Sequence, residues 1–139
     1  MKSIIIDTPV MVQMELLKTT LLNLGGADAK ILCADIDTSR ILKRGLLAKP
    51  FLFNHVFIKD GRCHHNVCEL YMSSGCSDGP YSIWTGYYLY DDVWRPHSWC
   101  TKTYNDHVIL VETTSNVTSY YYGYEMYPNE AMDFCNDHA

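Results

Sequence analysis

Cys63, His97 and Glu112 have the residue types and chain order that covalent chemistry through sulfur requires. A nucleophilic thiol needs a positioned thiolate, a base, and a group that orients the base. Cys63 follows Asp60-Gly61 and opens a helical pattern over residues 63–73, in which Cys63, Val67 and Leu70 share one face. A helix start offers free N–H groups and the positive end of the helix dipole, and both favour a thiolate. Cys68 lies more than a turn further in and gains little, so position selects Cys63 and leaves His64, His65 and Cys68 as bystanders. In His97-Ser98-Trp99-Cys100 a strand would put His97 and Trp99 on one face and Ser98 and Cys100 on the other. His97 is the candidate base and Trp99 its shield from water. Glu112, on the next predicted strand, is the candidate that fixes the imidazole tautomer. The Cys63 N–H is the natural oxyanion donor. Asn54, His55 and Asn66 are candidates for a second donor, and Trp99, Asn66 and Asn54 for contact with substrate.

Two other chemistries compete for the same residues. Cys63, Cys68, His97 and Cys100 form two pairs of nitrogen and sulfur ligands, the kind of set that holds structural zinc. Against it, strand alternation turns Cys100 away from His97. The tyrosines are the third possibility. The chain has 11 of them, many in Tyr87-Tyr88 and Tyr120-Tyr121-Tyr122-Gly123-Tyr124, which would suit a non-catalytic binding face as well as half-buried strands.

The elements that must position these residues follow from the pattern around them. Thr8-Pro9 reads as a helix start. Val10, Met14, Leu17, Leu21 and Leu24 continue it as one apolar stripe, and Gly25-Gly26 ends it. Ile31–Ala34 reads as a short strand, Ser39–Leu47 as a helix and Phe51–Ile58 as a strand. After the helix at Cys63–Ser73, aromatic and β-branched residues predict strands at Tyr81–Tyr90, His97–Thr103, Val108–Glu112 and Ser119–Met126, with a turn at Asp91-Asp92. Helices first, then strands joined by short turns, indicate an α+β fold with a helix packed on an antiparallel sheet. No repeat or linker divides residues 1–139, which read as a single domain, 61–124 holding the core and 1–60 a mixed N-terminal part.

Composition excludes several classes. Apolar residues make up 47% and charged residues 19%, a globular balance. The net charge of −5 and the absence of a basic run exclude a nucleic-acid surface, which needs clustered Lys and Arg. The N-terminal apolar run is only Ile4-Ile5-Ile6, too short for a signal peptide or a membrane span. A cytoplasmic protein without membrane contact is therefore expected. In that reducing setting the six cysteines read as free, metal-binding or catalytic thiols.

Gly61-x-Cys63, Trp84-Thr85-Gly86-Tyr87, His97-Ser98-Trp99 and Ile109–Thr114 together resemble the core of transglutaminase-like proteins, relatives of the papain-like thiol enzymes. Cys63-His64-x-Asn66, Trp94-Arg95-x-His97-Ser98-Trp99, Glu112-Thr113-Thr114 and Tyr121-Tyr122-Gly123 resemble, more narrowly, an uncharacterised bacterial and phage branch of that superfamily. The likeness spans residues 61–124. It implies a cysteine-dependent hydrolase or acyltransferase: a peptidase, amidase, deamidase or transglutaminase-like enzyme acting on a protein, peptide, amide or ester through a thioester, without a cofactor. The family carries Asp where this chain has Glu112, so Asn105 and Asp106 are fallback candidates for the orienting group.

Overall fold

The computed structural model describes residues 10–31, 36–49, 53–115, 118 and 120–138. Helix α1 spans Val10–Leu24 and α2 spans Ile36–Arg44. Helix α3 spans Cys63–Ser73, and α4 spans Pro128–His138. The strands are β1 (Asp28–Ala29), β2 (Leu46–Ala48), β3 (Phe53–His55), β4 (Tyr81–Tyr90), β5 (Val93–Tyr104), β6 (His107–Glu112) and β7 (Tyr121–Glu125). Among the described residues this is a mixed α+β protein, four helices on one seven-stranded sheet ordered β2-β7-β4-β5-β6-β3, with β1 beside β5. The β4–β5, β5–β6, β4–β7 and β2–β7 pairs are antiparallel. The two short strands β1 and β3 join β5 and β6 in parallel.

The central hairpins follow from local chemistry. Asp91 and Asp92 both have positive φ (55° and 64°), as do Asn105 and Asp106 (50° and 65°). Two residues of that conformation match the twist of the flanking strands, and Asn and Asp tolerate it. Gly75, at φ 109°, lies just beyond α3, where the left-handed conformation favours glycine.

The sheet has two unlike faces. One carries Ile83, Tyr87, Trp94, Cys100, Val111 and Tyr124 and packs against Leu17 and Leu21 of α1, Ile41 of α2, Val67, Cys68 and Tyr71 of α3, and Phe134 and Cys135 of α4. The other carries Tyr88, Trp99, Leu110 and Tyr121, with Trp84 and Ala48 against them, and no described helical residue joins that cluster. No helix of the described residues is long and apolar enough to cross a membrane.

The strands at Tyr81–Tyr90 and Val108–Glu112 and the helix at Cys63–Ser73 lie where the pattern puts them. The helix expected at Ser39–Leu47 instead starts at Ile36 and stops at Arg44, because Leu46 and Leu47 pair with Gly123 and Tyr122 as β2. A two-residue strand, β1, lies at Asp28–Ala29, just before the strand expected at Ile31–Ala34, and residues 32–34 of that expected strand lie outside the described ones. So does the Thr8-Pro9 helix start. Helix α4 is absent from the sequence reading.

Candidate functional site

The site forms where the sheet is interrupted. Along one edge of β5 the registered pairs with β1 end at Trp94, and those with β6 begin at Cys100. The stretch Arg95–Trp99 between them has only β4 as a ladder neighbour among the described residues. Pro96 sits in this gap with no N–H to leave unpaired, and His97 is beside it.

Two loops bring the start of α3 to the gap. Asn66, fully buried in the first turn of α3, donates from Nδ2 to Lys59 O and to Thr113 O (3.3 Å). Asp60 accepts from Ser115 N at 2.8 Å and from Ser115 Oγ at 2.7 Å. The loop entering α3 and the loop leaving β6 are thereby tied together, which places Cys63 beside the end of β6. Arg62 occupies the N-cap without a side-chain cap hydrogen bond. The Asn66 N–H bonds Arg62 O at 2.8 Å, so the N–H groups left without an intrahelical partner or a capping Arg62 side chain are those of Cys63, His64 and His65.

Glu112, the last residue of β6, is fully buried and ionised. His97 Nε2 is 2.8 Å from Oε1 and 3.0 Å from Oε2. Tyr121 OH donates to Oε1 at 2.7 Å. Thr113 N, Thr114 N and Thr114 Oγ1 donate to Oε2 at 3.1, 3.2 and 3.0 Å. Burial alone would push this carboxyl up, but the hydrogen bonds and the charge of His97 outweigh it and hold it below its ordinary value. The carboxylate folds back over the N–H groups of the two residues that follow it.

His97 is buried, with its ring stacked on Tyr88 at 3.9 Å between centroids and 11° between planes. Trp99 lies on the same face at 6.2 Å. With Nε2 committed to Glu112, Nδ1 is the nitrogen left for the thiol. Burial lowers the His97 imidazole, yet hydrogen bonds to Cys63 and Glu112 raise it to about 9. Burial likewise raises the Cys63 thiol, but hydrogen bonds from His64 and His97, with the charge of His97, bring it down to about 5. Between those values the pair rests as thiolate and imidazolium.

The structure thus brings Cys63, His97 and Glu112 together. His64, read from sequence as a bystander, also contacts the Cys63 sulfur, and its Nδ1 lies 2.6 Å from Ser98 Oγ. An aromatic wall of Phe134 and His138 stands against His64, with ring centroids 5.7 and 5.0 Å away. Strand alternation separates Ser98 from His97, but only the placement of α3 shows that Ser98 meets His64.

Other expected residues take different places. Trp99 is 1% exposed, held between Trp84 and Tyr121, and offers no surface to a substrate. Asn66 is at 0% exposure with its amide spent on the two loops, so it is neither a free oxyanion donor nor an open contact. Asn54 is half-buried on β3 opposite Val111. His55 bonds through Nε2 to Thr114 O. Asn105 and Asp106 are exposed in the β5–β6 turn, at the far end of β5 from His97. The zinc set does not converge. Cys68 and Cys100 lie in the core with Cys135, where burial pushes all three thiols up, while Cys63 lies with the histidines. Among the described residues no group of three or more His, Cys, Asp or Glu is placed to hold a metal ion.

Fold and site together define a mixed α+β protein with a thiolate at a helix start and a buried imidazole–carboxylate pair beside it. Comparisons with family models, curated proteins and solved structures each gave no match.

Proposed function

We propose that this chain is a cysteine-dependent hydrolase or acyltransferase of the transglutaminase-like, papain-like kind, with Cys63 as nucleophile, His97 as acid and base, and Glu112 as the orienting carboxylate. The observation that carries the reading is the Cys63–His97–Glu112 line of contacts, ending on a fully buried carboxylate. The order of parts supports the same kinship: a cysteine at a helix start, a Gly-Tyr strand, a His-x-Trp strand, then a strand ending in the carboxylate.

In this reading the Cys63 thiolate attacks the carbonyl carbon of an amide or ester. The oxyanion meets the open N–H groups at the start of α3. As the bond from carbon to the leaving amine or alcohol breaks, imidazolium His97 gives that group its proton, leaving a thioester on Cys63 and a neutral His97. An acceptor, water or an amine, then attacks the thioester and passes its proton to His97. The thiolate leaves, and the starting ion pair is restored. Glu112 keeps Nε2 protonated throughout, so that Nδ1 always faces the reacting atoms.

The test is a pre-steady-state assay with p-nitrophenyl acetate. The expected result is a burst of one nitrophenolate per chain and an acetyl group on Cys63 that hydroxylamine removes, with both absent from Cys63→Ser. Acetylation of Cys63 no greater than of the other thiols would overturn the proposal and favour a non-catalytic binding module on the same fold.

A further inference from the structure

We propose that His64 is a second functional imidazole at Cys63: a neutral hydrogen-bond donor to the thiolate, its tautomer set by the hydroxyls of Ser98 and Thr85. The inference rests on the proposed role of Cys63 and adds a residue to it. The observation behind it is a chain of short contacts that runs from His64, itself hydrogen-bonded to Cys63, into the sheet. His64 Nδ1 is 2.6 Å from Ser98 Oγ, and Ser98 Oγ is 2.7 Å from Thr85 Oγ1. Thr85 Oγ1 also lies 3.4 Å from His97 O, near the limit of a hydrogen bond.

The distances give the chain a direction. Thr85 has one hydroxyl hydrogen, and it is better given to Ser98 at 2.7 Å than to the carbonyl at 3.4 Å. Ser98 then spends its own hydrogen on His64 Nδ1. That nitrogen becomes an acceptor, so the proton of a neutral His64 sits on Nε2, the position left for the sulfur. Thr85 and Ser98 are buried, so these hydroxyls have no bulk water to bond instead.

The two imidazoles therefore differ in kind. His97 is backed by a carboxylate and carries a charge; His64 is backed by hydroxyls and carries none. A neutral donor holds the thiolate without competing for the proton that His97 must deliver. The other titratable groups facing this place are His138 of α4, near both His64 and Cys63, and Glu112, which reaches the sulfur through His97.

The test is the pH profile of Cys63 alkylation by iodoacetamide, read by peptide mapping, which needs no substrate. His64→Leu is expected to move the inflection up by about one pH unit, an alkylation rate about fivefold lower at pH 5, as loss of a hydrogen bond to a charged group would do. His64→Gln, which keeps an N–H donor, is expected to recover part of that shift, and Ser98→Ala to give a smaller shift in the same direction. His138→Gln should leave the profile in place. Nitrogen NMR of the wild type should show His64 protonated on Nε2 and not on Nδ1. A His64→Leu profile that superimposes on wild type while His97→Gln shifts it would overturn this inference alone, and so would protonation on Nδ1. An ordinary thiol inflection for Cys63 in the wild type would overturn both this inference and the proposed function.

Discussion

In the proposed mechanism Glu112 supplies the buried partner that a buried imidazolium needs. It takes hydrogen bonds from His97, Tyr121, Thr113 and Thr114, and none of these donors suits an amide nitrogen in its place. Glu112→Gln is expected to lower turnover about 10³-fold, the scale of a lost acid–base function, and to bring His97 down from its raised value. Histidine proton NMR titration checks the second part. Because the proposed reaction needs thiolate and imidazolium together, activity should rise through about pH 5 and fall through about pH 9. Stability follows the same two groups with opposite signs. The lowered thiol contributes fully above its ordinary value near 9, and that contribution is lost as pH falls through about 5. The raised imidazole contributes fully below its ordinary 6.5, and that contribution is lost as pH rises through about 9. At this scale the sequence was informative where chain order mattered: a cysteine at a helix start and a carboxylate ending a strand could be read directly. His64 was hidden because it adjoins Cys63 in one helix, and its partner Ser98 is known only once α3 lies on that face of β5.

At the scale of elements, the site depends on β4, β5 and β7 lying in close register. Gly86 and Gly123 face each other across β4 and β7. A Cβ on Gly86 would stand 2.2 Å from Tyr122 O, and one on Gly123 would stand 2.3 Å from Thr85 O. Both obstacles are backbone, so neither can rotate away. Gly86→Ala is expected to destabilise the protein by about 2–3 kcal/mol, as overpacking does, with a fall in Tm of several degrees in a thermal melt. It should also weaken Cys63 alkylation, since Gly86 is the register partner of His97. The long strands and α3 were legible because their apolar patterns are strong and their ends carry turn residues. The short elements were not. A two-residue strand such as β1 or a three-residue strand such as β2 has no period to read, and tertiary pairing decides it. Helix α4 did leave a mark, with Pro128 at its start and Ala131, Phe134 and Cys135 on its buried side.

Across the whole molecule the described helices gather on one face of the sheet, and an ion-pair cluster joins two of them. Arg44 of α2 holds Glu130 of α4 with two contacts of 2.9 Å, and Arg40 adds a third at 3.1 Å. Arg44 also lies over the Tyr124 and Tyr127 rings, at 4.8 and 4.2 Å from their centroids. Glu130→Gln is expected to cost about 2 kcal/mol, seen as a lower urea midpoint, and to leave Cys63 reactivity within about twofold, because distant sites act nearly independently. The same packing separates the cysteines. Cys68, Cys100 and Cys135 are sealed in the core with thiols pushed up, whereas Cys63 is partly exposed and pushed down to about 5. Brief iodoacetamide labelling of the folded chain at pH 6, with every cysteine located by peptide mapping, therefore tests whether Cys63 is an activated thiolate. Cys63 is expected to be modified first and far ahead of the other thiols, and His97→Gln to remove most of that lead. Labelling of Cys63 no faster than the thiols of the urea-unfolded chain at the same pH would contradict that expectation.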